Sequence, residues 1–314
     1  MQEKDSIHVA FCISDSFAQH TAVVIASALA NNPGEHLVFH ILSGDLSDVN
    51  KALLTEMTSE VCSVRFYSVD RTHFDHYPIS FEYFSQEIYY RFLIPTLIHE
   101  KRVIYSDVDV LIYRPLRTLW EMDLQGNAIA AVKEYNEYHG LETRKGQVWS
   151  SYKQKIGMNP ERIYFYSGLL VMDCDAMRSD NFTQRCFEDT ETCIRTLDRD
   201  AFGAPDQVVI NRLYEGKITE LSPAWCVTDK MKEVYKGEVA IRHFAGQFEK
   251  PWCNIAWNTS WFAYLKYLLK TPYRREAIGF VLGHLWGIVY SSHVKNGVRR
   301  YFLFGQRVWK KKVS

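Results

Sequence analysis

Neither sign of charge is in surplus in this 314-residue chain, where 37 Lys and Arg balance 37 Asp and Glu. A domain that neutralises a nucleic-acid backbone carries a clear basic excess, so no nucleic-acid partner is expected. There is no C-x-x-C pair, and the seven cysteines are an odd number. Both facts argue against a zinc site or a disulfide framework and for reduced thiols. The opening MQEKDSIHVAF has no long apolar run behind a basic segment and no small-residue cleavage site. Neither a signal peptide nor a membrane anchor is expected, and the chain reads as cytoplasmic. No G-x-G-x-x-G follows the first apolar run, which counts against dehydrogenase chemistry. Internal repeats and low-complexity linkers are missing as well.

What is present is material for a core. At 47% apolar residues, the chain suffices for one large α/β domain or one domain with an appendage. The charge balance conceals an asymmetry: from Arg274 to the end there are nine Lys or Arg and one acidic residue, Glu276. An acidic body, residues 1–271, therefore carries a basic and aromatic tail, residues 272–314.

Strands are expected over 8–13, 37–42, 64–69, 103–107, 128–132, 168–172 and 239–243, and helices over 18–31, 49–60, 87–97 and 181–199. This alternation predicts an α/β fold with a mostly parallel sheet. The polar and aromatic stretch 134–160 reads as an excursion over the sheet's carboxyl edge, where such proteins bind ligands.

The segment VIYSDVDVLIYRPL, 103–116, ends an apolar run on Asp107 and Asp109. Ionised side chains beside a buried strand need a partner or a cation. In extended chain, residues two apart point the same way, so the pair converges if strand geometry continues past its end. Two hard oxygen ligands suit Mg²⁺ or Mn²⁺; the alternative is a strand end whose carboxylates are solvated or capping. Two other Asp-x-Asp pairs act as controls. Asp173/Asp175 reads as a capped helix start, and Asp198/Asp200 as a loop.

Three more features need a place. Arg91 lies on a helix that otherwise looks buried, where it pairs with a core carboxylate or with a ligand. Asp206 and Gln207 open a helix, as an N-cap or as a sugar-binding pair. In IRHFAGQFEKPW, His243, Gly246 and Lys250 leave a strand together, which points to a metal ligand followed by a phosphate-contacting loop.

In their order, CISDSF, YYRFLIP, YSDVDVLI, YKQKIGM, YFYSGLLVMD, PDQVVIN and HFAGQFEKPW resemble the family 8 glycosyltransferases, especially bacterial lipopolysaccharide galactosyl- and glucosyltransferases. The resemblance implies a single-domain GT-A nucleotide-sugar-binding fold, a Rossmann-like mixed sheet flanked by helices. It also implies transfer of galactose or glucose from a UDP-sugar to an acceptor hydroxyl, with retention at the anomeric carbon. By this resemblance Asp107, Asp109 and His243 match the metal ligands, for Mn²⁺ or Mg²⁺. Lys250 and the Gly246 backbone match diphosphate contacts, and Ser14, Asp15 and Val108 fall in the nucleotide-binding segments. Arg91, Asp206 and Gln207 match donor-sugar contacts, with Gln207 nearest the anomeric centre and the Asp206–Gln207 pair as the catalytic candidates. Glu134 falls where an acidic sugar-site residue is common.

Departures accompany the matches. Ser14, Asp15 and Ser16 stand where the family often has Asp-Asp-Asn, which weakens uracil recognition by the first residue. Tyr166 replaces the usual Asn before Ser-Gly, and the loop from Gly246 to Lys250 is one residue longer than the usual pattern. Two rival functions remain: a non-catalytic nucleotide-sugar-binding protein, and a haloacid-dehalogenase-like phosphatase with Asp107 as nucleophile. The phosphatase reading wants its motif on the first core strand and a later Gly-Asp-x-x-x-Asp, and the sequence offers neither.

In the tail, AIGFVLGHLWGIVY, 277–290, is too short to span a bilayer. With the Arg, Lys and aromatic residues after it, the segment reads as an interfacial anchor for anionic lipid; the alternative is a terminal helix packed on the body with a solvated basic end. Such an anchor suits a lipid-linked saccharide acceptor and association with the cytoplasmic face of the inner membrane.

Overall fold

The computed structural model describes residues 5–79, 85–246, 249–253, 260–295, 298–304 and 306–312. Its strands in chain order are β1 (Ile7–Cys12), β2 (Leu37–Ser43), β3 (Cys62–Ser68), β4 (Arg102–Ser106), β5 (Val110–Ile112), β6 (Ile129–Lys133), β7 (Phe165–Asp173), β8 (Ile218–Leu221), β9 (Ile241–His243), β10 (Tyr290–Lys295), β11 (Val298–Leu303) and β12 (Gln306–Lys312). A seven-stranded sheet runs β3-β2-β1-β4-β7-β6-β8, with β5-β9 and β10-β11-β12 as separate small sheets.

The large sheet is mixed. Strands β3, β2, β1 and β4 are parallel, whereas β7 lies antiparallel to both β4 and β6. β1 and β2 are buried along almost their whole length because both faces are covered. On one face the helix Ala18–Asn31 packs Val24, Ile25 and Ala28 against Val9 and Phe11. On the other, Tyr89 and Phe92 join Val208, Val209 and Ile210 of the helix Pro205–Leu213 against Ala10 and Tyr105. The chain leaves β1 for β2 and β3 on one side and returns to β4 on the other, so the sheet's topological switch lies between β1 and β4. A crevice opens at the carboxyl ends there, directly before Ser14 and Asp107.

Four expectations need correction. The strand ending at Ser106 does not continue through the aspartates, because the backbone bends at Asp107–Asp109 before β5 begins. The helix expected over 87–97 is a 3-10 helix, Gln86–Leu93, followed by one α turn containing Pro95, Ile94–Leu97. The excursion 134–160 contains a helix of its own, Arg144–Lys155. In the tail, the helix Ala277–Val289 gives way to the antiparallel meander β10-β11-β12. Among the described residues no helix is long and apolar enough to cross a membrane.

A polar thread crosses the three outer parallel strands. His8 Nδ1 meets His40 Nε2 at 2.9 Å, and His40 Nδ1 meets the Tyr67 hydroxyl at 2.9 Å. Burial, with smaller contributions from His8 and Arg65, pushes His40 down to about 3. In the fold His40 is therefore neutral, while the unfolded chain takes up a proton below the ordinary imidazole range. Its contribution to stability is complete above about pH 6.5 and is lost as pH falls towards about 3, at up to about 1.4 kcal/mol per pH unit. In urea unfolding as a function of pH, His40→Phe is expected to flatten the acid limb by the slope of one proton. An unchanged slope would place the acid sensitivity elsewhere.

Candidate active site

Asp107 follows β4 directly, and its backbone N–H donates to Gly168 O of β7 (2.9 Å). After the bend, β5 pairs antiparallel with β9, setting Val110 opposite His243, while Phe244 N–H donates to Asp109 O (2.8 Å). His243 Nε2 consequently lies 3.0 Å from Asp109 Oδ1 and 3.7 Å from Asp107 Oδ2. One ligand atom from each of the three residues falls within 4.8 Å of the others. The carboxylates converge across a bend, so the sheet alternation expected from the sequence is not what brings them together.

Gly168 lies beneath this cluster. A Cβ there would stand 2.6 Å from His243 Cε1, 2.6 Å from Tyr166 Cε1 and 2.8 Å from Asp107 Oδ2. Only a residue without a side chain lets β7 pass so close to the ligands. Two hard carboxylate oxygens with one imidazole fit a divalent cation such as Mn²⁺ or Mg²⁺. The Lys250 ammonium, ion-paired with Asp109 Oδ2, shows that the pocket accommodates positive charge.

The electrostatics follow from this crowding. Burial alone would raise the Asp109 carboxyl, but His243 and Lys250 outweigh it and hold the group well below the carboxylate range. Asp107 is raised, because burial and the neighbouring Asp109 charge exceed the help of Arg91 and His243. Burial would lower His243; Asp109 overrides it and pushes the imidazole up to about 10. Its Nδ1 faces Cys226 Sγ at 3.4 Å, which fixes the ring with Nε2 towards the carboxylates.

Arg91, 4% exposed, joins the cluster to the helix at 205–213. Its Nη1 reaches Asp206 Oδ2 (2.7 Å) and donates to Ser167 O (2.8 Å); Nη2 donates to Asp107 Oδ1 (3.3 Å) and Nε to Ile88 O (2.9 Å). The guanidinium also lies 4.3 Å from the Tyr105 ring centroid, and the Tyr105 hydroxyl donates to Asp107 Oδ1 (2.6 Å). Arg91 therefore pairs with core carboxylates, and it also lines the smaller of two adjoining cavities. Asp206 is no N-cap: it is ion-paired with Arg91 and accepts from the Ser167 hydroxyl (2.7 Å). Gln207 Oε1 accepts from Ser167 N–H (2.9 Å). The control pairs behave as expected, since Asp173 caps Ala176 N–H and Asp198 accepts from Ala201 N–H.

Two cavities of about 210 and 400 Å³ meet at Asp107, Asp109, Tyr166 and Lys250. Ser14, Arg91, Val108, Asp206 and Gln207 line the smaller; Glu134, His243 and Gly246 line the larger. Gly246 has φ +112°, a conformation that favours glycine. Glu134 Oε2 accepts from Asn136 N–H (2.5 Å), and burial raises its carboxyl. Asp15 is placed differently from the expectation. Its Oδ1 accepts from Ser47 N–H and Asn50 Nδ2 (both 2.8 Å), pinning the loop after β1 to the start of the helix Asp48–Thr55 that follows β2, and it does not line either cavity. Residues not anticipated include Gly168, Tyr105, Ser167 and Glu87. Glu87 is a buried carboxylate on the smaller cavity whose Oε1 has no hydrogen-bond partner among the described residues. A glycine inside a buried strand and an acid inside a buried helix were the available signals.

The profile described as "Glycosyl transferase family 8" matches residues 8–256. General stress protein A of Bacillus subtilis is 25% identical over 309 residues, covering 92% of this chain and 98% of its own. Lipopolysaccharide 1,3-galactosyltransferase of Salmonella typhimurium is 23% identical over 333 residues, covering 97% and 92%. The crystal structure of galactosyltransferase LgtC with donor and acceptor sugar analogs superimposes with a TM-score of 0.73 at 22% identity, over 84% of this chain and 96% of that one. The fold is thus the GT-A type, and three residues that could hold a divalent metal ion, Asp107, Asp109 and His243, lie at the carboxyl edge of its sheet. With the profile spanning most of the sequence, the chain belongs to glycosyl transferase family 8 and is a glycosyltransferase.

Proposed function

We propose that the protein transfers galactose or glucose from a UDP-hexose to a hydroxyl of a saccharide acceptor, with retention, and that the acceptor is lipopolysaccharide or another lipid-linked glycan. The observation carrying this reading is the Asp107–Asp109–His243 cluster beside Lys250 at the junction of two cavities. One cavity suits the donor and the other the acceptor. Asp107, Asp109 and His243 would hold Mn²⁺ or Mg²⁺, which when bound supplies Lewis-acid stabilisation of the diphosphate leaving group. Lys250 adds a second positive charge where that leaving group develops negative charge, and the Gly246 backbone approaches it without a side chain.

Asp206 and Gln207 face the sugar that becomes cationic. Gln207 is an amide and a poor nucleophile, and Asp206 Oδ2 is already engaged by Arg91 and Ser167. Retention then follows from attack on the face the leaving group vacates, with both side chains stabilising the sugar cation. Trapping a glycosyl-enzyme on any side chain would overturn this route. The reaction is tested by UDP release from a panel of UDP-hexoses with Mn²⁺ or with EDTA. Metal-dependent release from one sugar identifies the donor, whereas tight UDP binding without turnover on any acceptor favours a binding protein. Asp107 as a phosphatase nucleophile is disfavoured, since Arg91 and Tyr105 both occupy its Oδ1.

The tail supports a lipid-linked acceptor and peripheral association with the cytoplasmic face of the inner membrane. Ile278, Leu282, Leu285 and Trp286 form an exposed stripe on the helix 277–289. The meander adds exposed Phe304, Val308 and Trp309 among Arg299, Arg307 and Lys310 to Lys312. Removing residues 290–314 is expected to weaken sedimentation with anionic phosphatidylserine vesicles about tenfold or more, and little with neutral ones. Undiminished sedimentation would remove the meander from the anchor, and undiminished sedimentation after removal of residues 272–314 would refute the anchor.

A further inference from the structure

The helix 277–289 has a second, inward face, and His284 is its polar centre. The side chain is 3% exposed. Nδ1 faces the Phe280 carbonyl oxygen and Nε2 the Pro251 carbonyl oxygen, each at 2.8 Å. Both carbonyl oxygens only accept, so Nε2 donates to Pro251 O in the tautomer that carries the ring proton on Nε2. Pro251 directly follows Lys250, whose ammonium pairs with Asp109. The next residue, Trp252, stacks on His20 at 3.6 Å between centroids, and Cys253 N–H donates to Lys250 O (2.9 Å). The segment 249–253 is thus held from three directions: by Asp109 at the cluster, by His20 of the helix 18–31, and by His284 of the tail helix. Rings continue the connection, with His284 4.3 Å from Phe280, Phe280 5.1 Å from Tyr264, and His20 Nδ1 2.7 Å from the Tyr264 hydroxyl.

We infer that His284 is a positioning residue for donor binding: its bond to Pro251 O fixes the segment that presents Lys250 to the donor diphosphate. This rests on the proposed contact of Lys250 with that diphosphate. A helix assigned by composition to the tail is therefore part of the catalytic body, and the functional boundary of the tail lies at the start of β10. Pro251 has no backbone N–H, so its carbonyl is the only main-chain group through which a neighbour can hold this residue by a hydrogen bond. A buried carbonyl left without its donor would draw the segment towards water and move the adjacent Lys250 with it.

The experiment measures calorimetric affinities for UDP and for uridine, both with Mn²⁺ present, in His284→Leu, His284→Gln, His284→Asn, Lys250→Met and the His284→Leu/Lys250→Met double variant. His284→Leu is expected to weaken UDP about tenfold and leave uridine unchanged, because only the phosphates meet Lys250. Gln, whose amide N–H reaches as far as Nε2, restores UDP affinity, and the shorter Asn does not. In the Lys250→Met background His284→Leu has no further effect. Equal losses for UDP and uridine, or additive losses in the double variant, would overturn the proposal by making His284 a generic packing residue. If His284→Leu does not fold, the Gln–Asn contrast decides alone: equal UDP affinities for the two overturn the proposal. If Lys250→Met binds UDP normally, Lys250's role fails and the proposal with it, while metal-dependent UDP release still tests the cluster separately.

Discussion

Replacing Asp109 by Asn is expected to lower metal-dependent UDP release by about 10³-fold or more while leaving the control variant Asp175→Asn at wild-type activity. The two aspartates share the same Asp-x-Asp spacing but not the same surroundings. Asp175 is exposed and pairs with Arg178 within one helical turn, an arrangement worth little. Asp109 is 8% exposed and is the anion on which His243 and Lys250 both converge. Asn keeps its size and removes its charge, leaving the Lys250 ammonium without its counter-ion and His243 without the charge that raises it. Breaking a buried ion pair by removing one partner typically costs about 3–5 kcal/mol, so lost activity alone would not separate a dead site from a weakened fold. EDTA treatment of the wild type supplies that separation, because it takes away the metal and leaves every side chain in place. The expected result is loss of UDP release in both cases, with the thermal midpoint measured in EDTA lower for the variant than for the wild type. UDP release that persists in EDTA and in Asp109→Asn would remove the cluster from the reaction.

Legibility in the sequence followed the range of the interactions. Local ones were readable: β1, β2 and the helix 18–31 have continuous apolar runs and a closing Asn-Asn-Pro-Gly, so their bounds came out within a residue or two. The metal triad was readable in part because Asp107 and Asp109 interrupt an apolar run, which isolated carboxylates do only at some cost. How the triad closes was not readable. It depends on β5, three residues long, finding β9 more than a hundred positions away, and nothing in Val110–Ile112 marks it as a strand apart from its neighbour. Arg91 posed the same difficulty in another form. Its three hydrogen bonds and one further ion pair go to Ile88, Ser167, Asp107 and Asp206, and only the first partner is local. The meander β10-β11-β12 was missed because its basic and aromatic residues fit an interfacial helix as well as an edge-exposed hairpin.

Gly168→Ala tests the part of the site that was least visible in the sequence. The backbone at Gly168 does not occupy the left-handed region, so alanine is conformationally acceptable there and any effect is steric. The methyl group would enter space 2.6 Å from His243 Cε1 and 2.8 Å from Asp107 Oδ2. Neither neighbour yields easily. His243 is pinned between Asp109 and Cys226, and Asp107 between Arg91 and Tyr105. The Gly168 carbonyl is itself tied to Asp107 N–H, so β7 cannot retreat without releasing the ligand it supports. The ligands must therefore splay, and a shift of several tenths of an ångström suffices to spoil a three-residue metal site. Mn²⁺ affinity is expected to fall about 10–100-fold, with a stability loss of about 1–3 kcal/mol from overpacking. Gly279→Ala serves as the control, since a Cβ there meets none of the described residues within 4 Å and its helical position favours alanine by up to about 1 kcal/mol. Wild-type Mn²⁺ affinity in Gly168→Ala would show that the cluster can open without loss. A fall in affinity larger than the accompanying fall in stability would place the glycine among the residues that shape the metal site.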